Sequence, residues 1–246
     1  MGKLMGLIKF TGKFDGLSFY EVNGKIVVRK TGGFDSEKIK TNSNYVRVRE
    51  NSTEFAQSAI TGKYFRTSIS LYLKKMRIPY VHNSIVSLFQ QITKFDIVNS
   101  RGERKVGNGI VTVEGIKAIR HFEFDKKTSF ASVFPFKCNV NFENGTLQIP
   151  NFDVVRFKKP KAATHLHLQF IVVGLDFLGL TTFDRVESAV TTFELTSLNL
   201  VSSITISCAV STKPFRLGLL FVSFSQHLGG ELYPLEDSYL KIIDLK

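Results

Sequence analysis

Over its last third the chain strings together five runs of strand-forming residues, 164–177, 186–195, 203–210, 217–225 and 239–245. Each is bounded by Gly, Pro, Asp, Asn or Lys-rich turns, and no segment of helical period lies between them. Strands at this spacing, without intervening helices, predict antiparallel sheets packed as a sandwich. The run 217–224 is apolar on both faces at its centre, which marks a strand in mid-sheet, whereas the alternating run 203–210 should keep one side wet.

Two Asn-Gly pairs add hairpins. Asn23-Gly24 sits between the β-prone runs 16–22 and 25–30, and this pair tolerates the positive φ angles of a type I′ turn. Asn144-Gly145 joins 136–142 to 146–149 in the same way. Residues 4–11 read as one further strand, and after Gly107-Asn108-Gly109 two more are expected at 110–113 and 121–124. Residues 44–95 differ. There Tyr45, Val48, Phe55, Ala56, Ala59, Ile60 and Tyr64 recur at spacings of three and four, and the pattern is sustained to about Leu73. Ser43 or Asn44 could cap this helix, Asn51 with Glu54 looks like a second capping pair, and Gly62 and Pro79 punctuate it. Ile85, Leu88, Phe89 and Ile92 then share one stripe of a shorter helix. The expectation is a mainly β chain, an antiparallel β-sandwich of immunoglobulin-like or related type with a helical insert. Residues 1–43 supply hairpin strands, 44–95 the insert and 96–246 the sandwich.

Composition supports a wide apolar core: 43% of residues are hydrophobic, with 23 Phe and 7 Tyr but no Trp. The net charge of +12 is unevenly placed, because residues 1–120 hold 21 Lys and Arg against 9 Asp and Glu, while residues 121–246 hold 12 of each. A basic half can face nucleic acid, an anionic membrane or an acidic protein partner, or it can simply keep a Phe-rich chain soluble.

Residues capable of chemistry are sparse. His165 and His167 share a strand face with Gln169, a spacing that can bind a transition metal, but no third ligand is evident. His121, Glu123 and Asp125 alternate opposite Phe122 and Phe124, as on an ordinary half-exposed strand. Cys138 and Cys208 lie on the apolar side of alternating runs and read as buried small hydrophobes, with a disulfide as the alternative. Asn51-Ser52-Thr53 and Asn144-Gly145-Thr146 match the glycosylation pattern, which is common by chance. No nucleotide-binding, hydrolase, metalloprotease or redox motif occurs, so neither a catalytic role nor a cofactor is expected. The opening residues have too many Lys and Gly for a signal-peptide core, position 6 is unsuited to myristoylation, and no apolar run is long enough to span a membrane.

Several stretches carry a resemblance. They are Gly6-Leu7-Ile8-Lys9-Phe10-Thr11-Gly12, Asn23-Gly24-Lys25-Ile26-Val27-Val28-Arg29-Lys30, Val48-Arg49-Glu50-Asn51-Ser52-Thr53-Glu54-Phe55, Arg101-Gly102-Glu103-Arg104, Ala163-Thr164-His165 and Leu232-Tyr233-Pro234-Leu235. With these the chain resembles a family of uncharacterised β-rich Bacteroidetes proteins over most of its length. The role that this resemblance implies is that of the plug subunit of the type IX secretion translocon. Such a protein closes the periplasmic mouth of a giant outer-membrane β-barrel by binding, with no small-molecule substrate and no insertion into the membrane. The sequence itself, lacking a signal-peptide core, defaults to the cytoplasm.

The contact surface expected for such a partner is the cationic first half: Arg29, Lys30, Phe34, Arg47, Arg49, Lys63 and Arg66. Two other classes compete. A nucleic-acid-binding protein would stack bases on Tyr20, Phe34, Tyr45 and Tyr64, although no recognised signature is present. A carbohydrate-binding module would need an aromatic platform, which the absence of Trp weakens.

Overall fold

The computed structural model describes residues 2–3, 11–31, 36–195 and 203–246. It falls into two compact units, Met1–Arg49 and Glu50–Lys246. In the first, strands β1 (Gly2–Lys3), β2 (Gly12–Phe14), β3 (Leu17–Val22) and β4 (Lys25–Lys30) form an antiparallel sheet in the order β1-β4-β3-β2. Asn23 and Gly24 both take positive φ (52° and 75°), so the two-residue turn between β3 and β4 is the expected type I′. Phe19 and Ile26 are its buried side chains. The strand expected at 4–11 falls largely outside the described residues. Helix α1 (Ser36–Thr41) follows, and then a 3₁₀ turn capped by Asn42, whose side chain accepts from the Asn44 N–H at 2.9 Å. The cap therefore lies just upstream of the expected Ser43 and Asn44.

Helix α2 (Val46–Ser68) continues from that turn into the second unit, followed by α3 (Ser70–Met76) and α4 (Val81–Thr93). Gly62 does not punctuate α2. Its bare surface lets α4 pack close, with a Val86 methyl 3.2 Å from where a Cβ would stand. The expected capping pair, Asn51 and Glu54, lies inside α2 and holds a loop instead: Asn51 accepts from Arg101 at 2.8 Å, and Glu54 from the Gly102 N–H at 2.8 Å.

Helices then continue where strands were expected, as α5 (Val106–Gly109), α6 (Val113–Arg120) and α7 (Phe130–Val133). Residues 110–113 form the α5–α6 junction, because Thr112 caps α6 by accepting from the Gly115 N–H at 3.1 Å. Glycines also let backbones touch: a Cβ at Gly109 would meet the Ile92 carbonyl, and one at Gly115 the Gly109 carbonyl. Residues 121–124 are irregular, yet Phe124 reaches the core. A buried carboxylate ties the preceding loop together. Asp96 accepts from the N–H groups of Val98, Asn99 and Lys105 and from the amides of Asn99 and Asn108. Burial alone would raise its pKa, but these donors outweigh burial and hold the carboxyl well below the usual range.

The remaining strands are β5 (Asn139–Asn141), β6 (Thr146–Pro150), β7 (His165–Leu175), β8 (Asp184–Glu187), β9 (Thr191–Glu194), β10 (Ser203–Ser207), β11 (Phe215–Leu228) and β12 (Glu231–Leu245). A five-stranded antiparallel sheet runs β12-β11-β7-β8 with β9 also on β7, and a three-stranded one runs β10-β6-β5. Leu217–Phe224 does lie mid-sheet, between β7 and β12. Pairing of Asn141 with Thr146 leaves a four-residue loop at Asn144-Gly145, not a two-residue turn, and Phe142 drops from it into the core. Gly229-Gly230, both at positive φ, turn β11 into β12, which starts eight residues before the expected Tyr239.

Two apolar clusters fill this unit. One joins Phe65, Tyr72, Phe89 and Ile119 of the helices to Ile171, Leu219, Phe221 and Leu240 of the five-stranded sheet. The other joins Leu166, Phe170, Leu220 and Phe224, from the opposite face of that sheet, to Leu147, Ile149, Ile204 and Ile206 of the three-stranded sheet and to a group of Phe side chains. With helix and strand in nearly equal share, the chain is mixed α/β with three antiparallel sheets, not mainly β. The helical region reaches residue 133 instead of stopping near 95.

Candidate functional site

On its helix side the five-stranded sheet changes character along the strands. In β11, Leu217, Leu219 and Phe221 give way to Ser223 and Ser225; in β7, Val173 and Ile171 give way to Gln169, His167 and His165; in β12, Ile242 and Leu240 give way to Ser238. Here β12 also departs from regular pairing: Ser223 faces Ser238 but Ser225 faces Pro234, so residues 235–237 bulge outward. The result is a groove of about 520 Å³. Phe221, Ser223 and His167 floor it, Leu71, Lys74, Lys75 and Arg77 form the α3 wall, and Pro234, Leu235, Glu236 and Ser238 form the β12 wall.

Positive charge dominates the rim. The Lys75 ammonium lies over the rings of Phe221 and Tyr72, 5.5 and 5.8 Å from their centroids. Arg77 pairs with Glu236 at 2.6 Å, an exposed contact worth little in water. The Ser238 hydroxyl is buried and unpartnered among the described residues. The Tyr72 hydroxyl is buried too, and its pKa is raised first by burial and then by the charge of Glu187.

At the floor His167 Nε2 lies 2.7 Å from Ser225 Oγ, and Nδ1 lies 2.9 Å from Thr192 Oγ1. Burial, and then the charge of His165, lower the His167 pKa, which favours the neutral ring. A Ser–His contact of this length can activate a nucleophile, but here the second ring nitrogen meets a hydroxyl in place of a carboxylate. Ser225 is also only 3% exposed, too closed to reach a substrate. The chain of hydroxyls and imidazole is a satisfied hydrogen-bond relay. His165 is held by Thr164 at 2.9 Å and has its ring 6.0 Å from that of His227; among the described residues no three ligands converge on a metal position.

Beside the groove, and sharing Lys74 with it, lies a shallow depression of about 470 Å³ lined by Lys63, Arg66, Thr67, Ser70, Leu73 and Lys74. Helical spacing puts Lys63, Arg66, Thr67 and Ser70 on one face. Among the described residues none of Lys63, Arg66, Lys74 and Lys75 has a carboxylate within ion-pair reach. Arg66 Nε is buried without a partner.

The other expected contact residues do not line these two depressions. Arg29 and Lys30 are exposed on β4 of the first unit, with the Arg29 guanidinium 5.6 Å from the Tyr20 ring centroid. Arg47 and Arg49 stand at the start of α2, and Arg49 is committed to structure, donating to the carbonyls of Ile39 (2.6 Å) and Asn42 (2.9 Å). Phe34 lies outside the described residues. Tyr64 cannot stack a base: it is 8% exposed and its hydroxyl donates to the Thr182 carbonyl at 2.8 Å. His121, Glu123 and Asp125 do not form a strand face; Glu123 instead pairs with Lys241 at 2.8 Å, and Asp125 accepts from the Lys127 N–H. Both cysteines are free and partly buried, and burial pushes the Cys138 thiol up to about 12.

Sequence reasoning missed Lys74, Lys75 and Arg77 as a site. The available signal was the loss of alternating apolar residues at Gln169, Ser223 and Ser225. No protein-family model, curated protein or solved structure matches this chain.

Proposed function

We propose that the protein is a non-catalytic binding protein that docks onto an acidic surface of a protein partner through the cations of α2 and α3. One observation carries this reading: Lys63, Arg66, Lys74 and Lys75 lie together with no carboxylate of the described chain to neutralise them. Unmatched like charges repel one another, and an acidic partner removes that cost while raising the rate of encounter. The sequence resemblance makes the partner a large outer-membrane secretion barrel, whose periplasmic opening the protein plugs. Stiff sheets suit a stopper. We read the packing of the five-stranded on the three-stranded sheet as the expected sandwich, supported by the apolar cluster that draws on both.

Affinity pull-down from membranes of the source organism, followed by mass spectrometry, tests the reading against the charge-reversed variant K63E/R66E/K74E. Recovery of a very large outer-membrane barrel by the native chain and its loss with the variant support it. Recovery of ribosomes or DNA, of nothing, or of the barrel equally by both proteins overturns it.

A further inference from the structure

We propose that the groove between α3 and the bulged part of β12 is a binding site for a single-chain amphiphile with a carboxylate head, such as a medium-chain fatty acid. The inference shares Lys74 and Lys75 with the docking surface above but does not require that surface to have a protein partner. Size comes first: about 520 Å³ lies within the range of roughly 300–1,000 Å³ typical of small-molecule sites. Its lining divides by chemistry. Leu71, Phe221, Pro234 and Leu235 present apolar surface, while Lys74 and Lys75 stand at the rim without ion-pair partners. An apolar chain satisfies the first set and an anion the second.

The head would sit at the ammonium groups of Lys74 and Lys75, because the unpartnered Ser238 hydroxyl is closed off from the groove. The cations of the rim exclude an ammonium head. Arg77 faces Glu236 across the rim, which leaves Lys74 and Lys75 to meet the anionic head.

Isothermal titration with octanoate, decanoate and dodecanoate, below their micelle concentrations, tests the proposal on the full chain. One-to-one saturable binding is expected, tightening about two- to fourfold per added methylene, with no binding of acetate or of dodecyltrimethylammonium. Lys75→Glu should weaken dodecanoate binding at least tenfold, since the exposed Lys75 head is not needed by the core. Ser238→Phe, which crowds the β12 wall of the groove, should abolish it while the thermal melt still reports a folded chain; if that variant fails to fold, Lys75→Glu decides. K63E/R66E should bind dodecanoate like the native chain, which separates this site from the docking strip. Absence of saturable binding, equal binding of the cationic amphiphile, or full binding by Lys75→Glu overturns the proposal.

Discussion

The two faces of the five-stranded sheet are made by the same strands and end differently. Against the three-stranded sheet, Leu166, Leu168, Phe170 and Val172 of β7 and Leu220, Val222 and Phe224 of β11 stay buried along the whole face. Against the helices the apolar surface stops at Ile171 and Phe221, and beyond it come Gln169, His167, Ser223 and Ser225. A strand alternates its side chains, so each face can be composed independently of the other. One face is covered end to end; on the other the apolar cover stops short and a groove opens beside it.

Substitutions should separate the two faces. Phe170→Ala on one face and Phe65→Ala in the helical cover of the other should each cost about 3–5 kcal/mol in urea unfolding, because both side chains are fully buried. A marked inequality would mean that one layer is peripheral. Asp96→Ala should cost about 3 kcal/mol by stranding the donors it gathers in the loop before α5. Its folded pKa is depressed, so its stabilisation is present above the unfolded value of about 3.9 and is lost as pH falls through the folded one. Acid titration of the native chain should show this loss, and the variant should lack it. Gly115→Ala should destabilise by about 2 kcal/mol, since its methyl would press on the Gly109 carbonyl and part α6 from α5.

Smaller effects belong to the open end. The folded pKa of His167 is lowered, so the neutral ring is favoured by folding; below about pH 6.5 the unfolded chain takes up its proton first and stability falls. Urea midpoints at pH 7.5 and 5.5 should therefore differ less for His167→Gln than for the native protein. Ser223→Ala should change stability by no more than about 0.5 kcal/mol, and a large loss there would mean that the groove floor is structural.

Much of this was legible in the chain. The Asn23-Gly24 turn, the stripe Ile85, Leu88, Phe89 and Ile92, and the long central strands follow from turn chemistry and period. What misled was a short β-branched run, Ile110-Val111-Thr112-Val113, where a hydroxyl cap and two close glycines override propensity. The groove was half legible: the switch from apolar to polar residues is written in β7 and β11, but the bulge in β12 and the placing of α3 over Phe221 depend on contacts far apart in sequence. That Arg49 is spent on the carbonyls of Ile39 and Asn42 was hidden for the same reason, because a count of charges carries no geometry.

One consequence follows from the two free thiols. Burial raises the pKa of both Cys138 and Cys208, so each remains in the unreactive thiol form at neutral pH. A new cysteine placed at Lys63 would then be the fastest to take up a maleimide or a spin label, which makes the native chain a ready background for measuring distances from α2 without removing either natural sulfur.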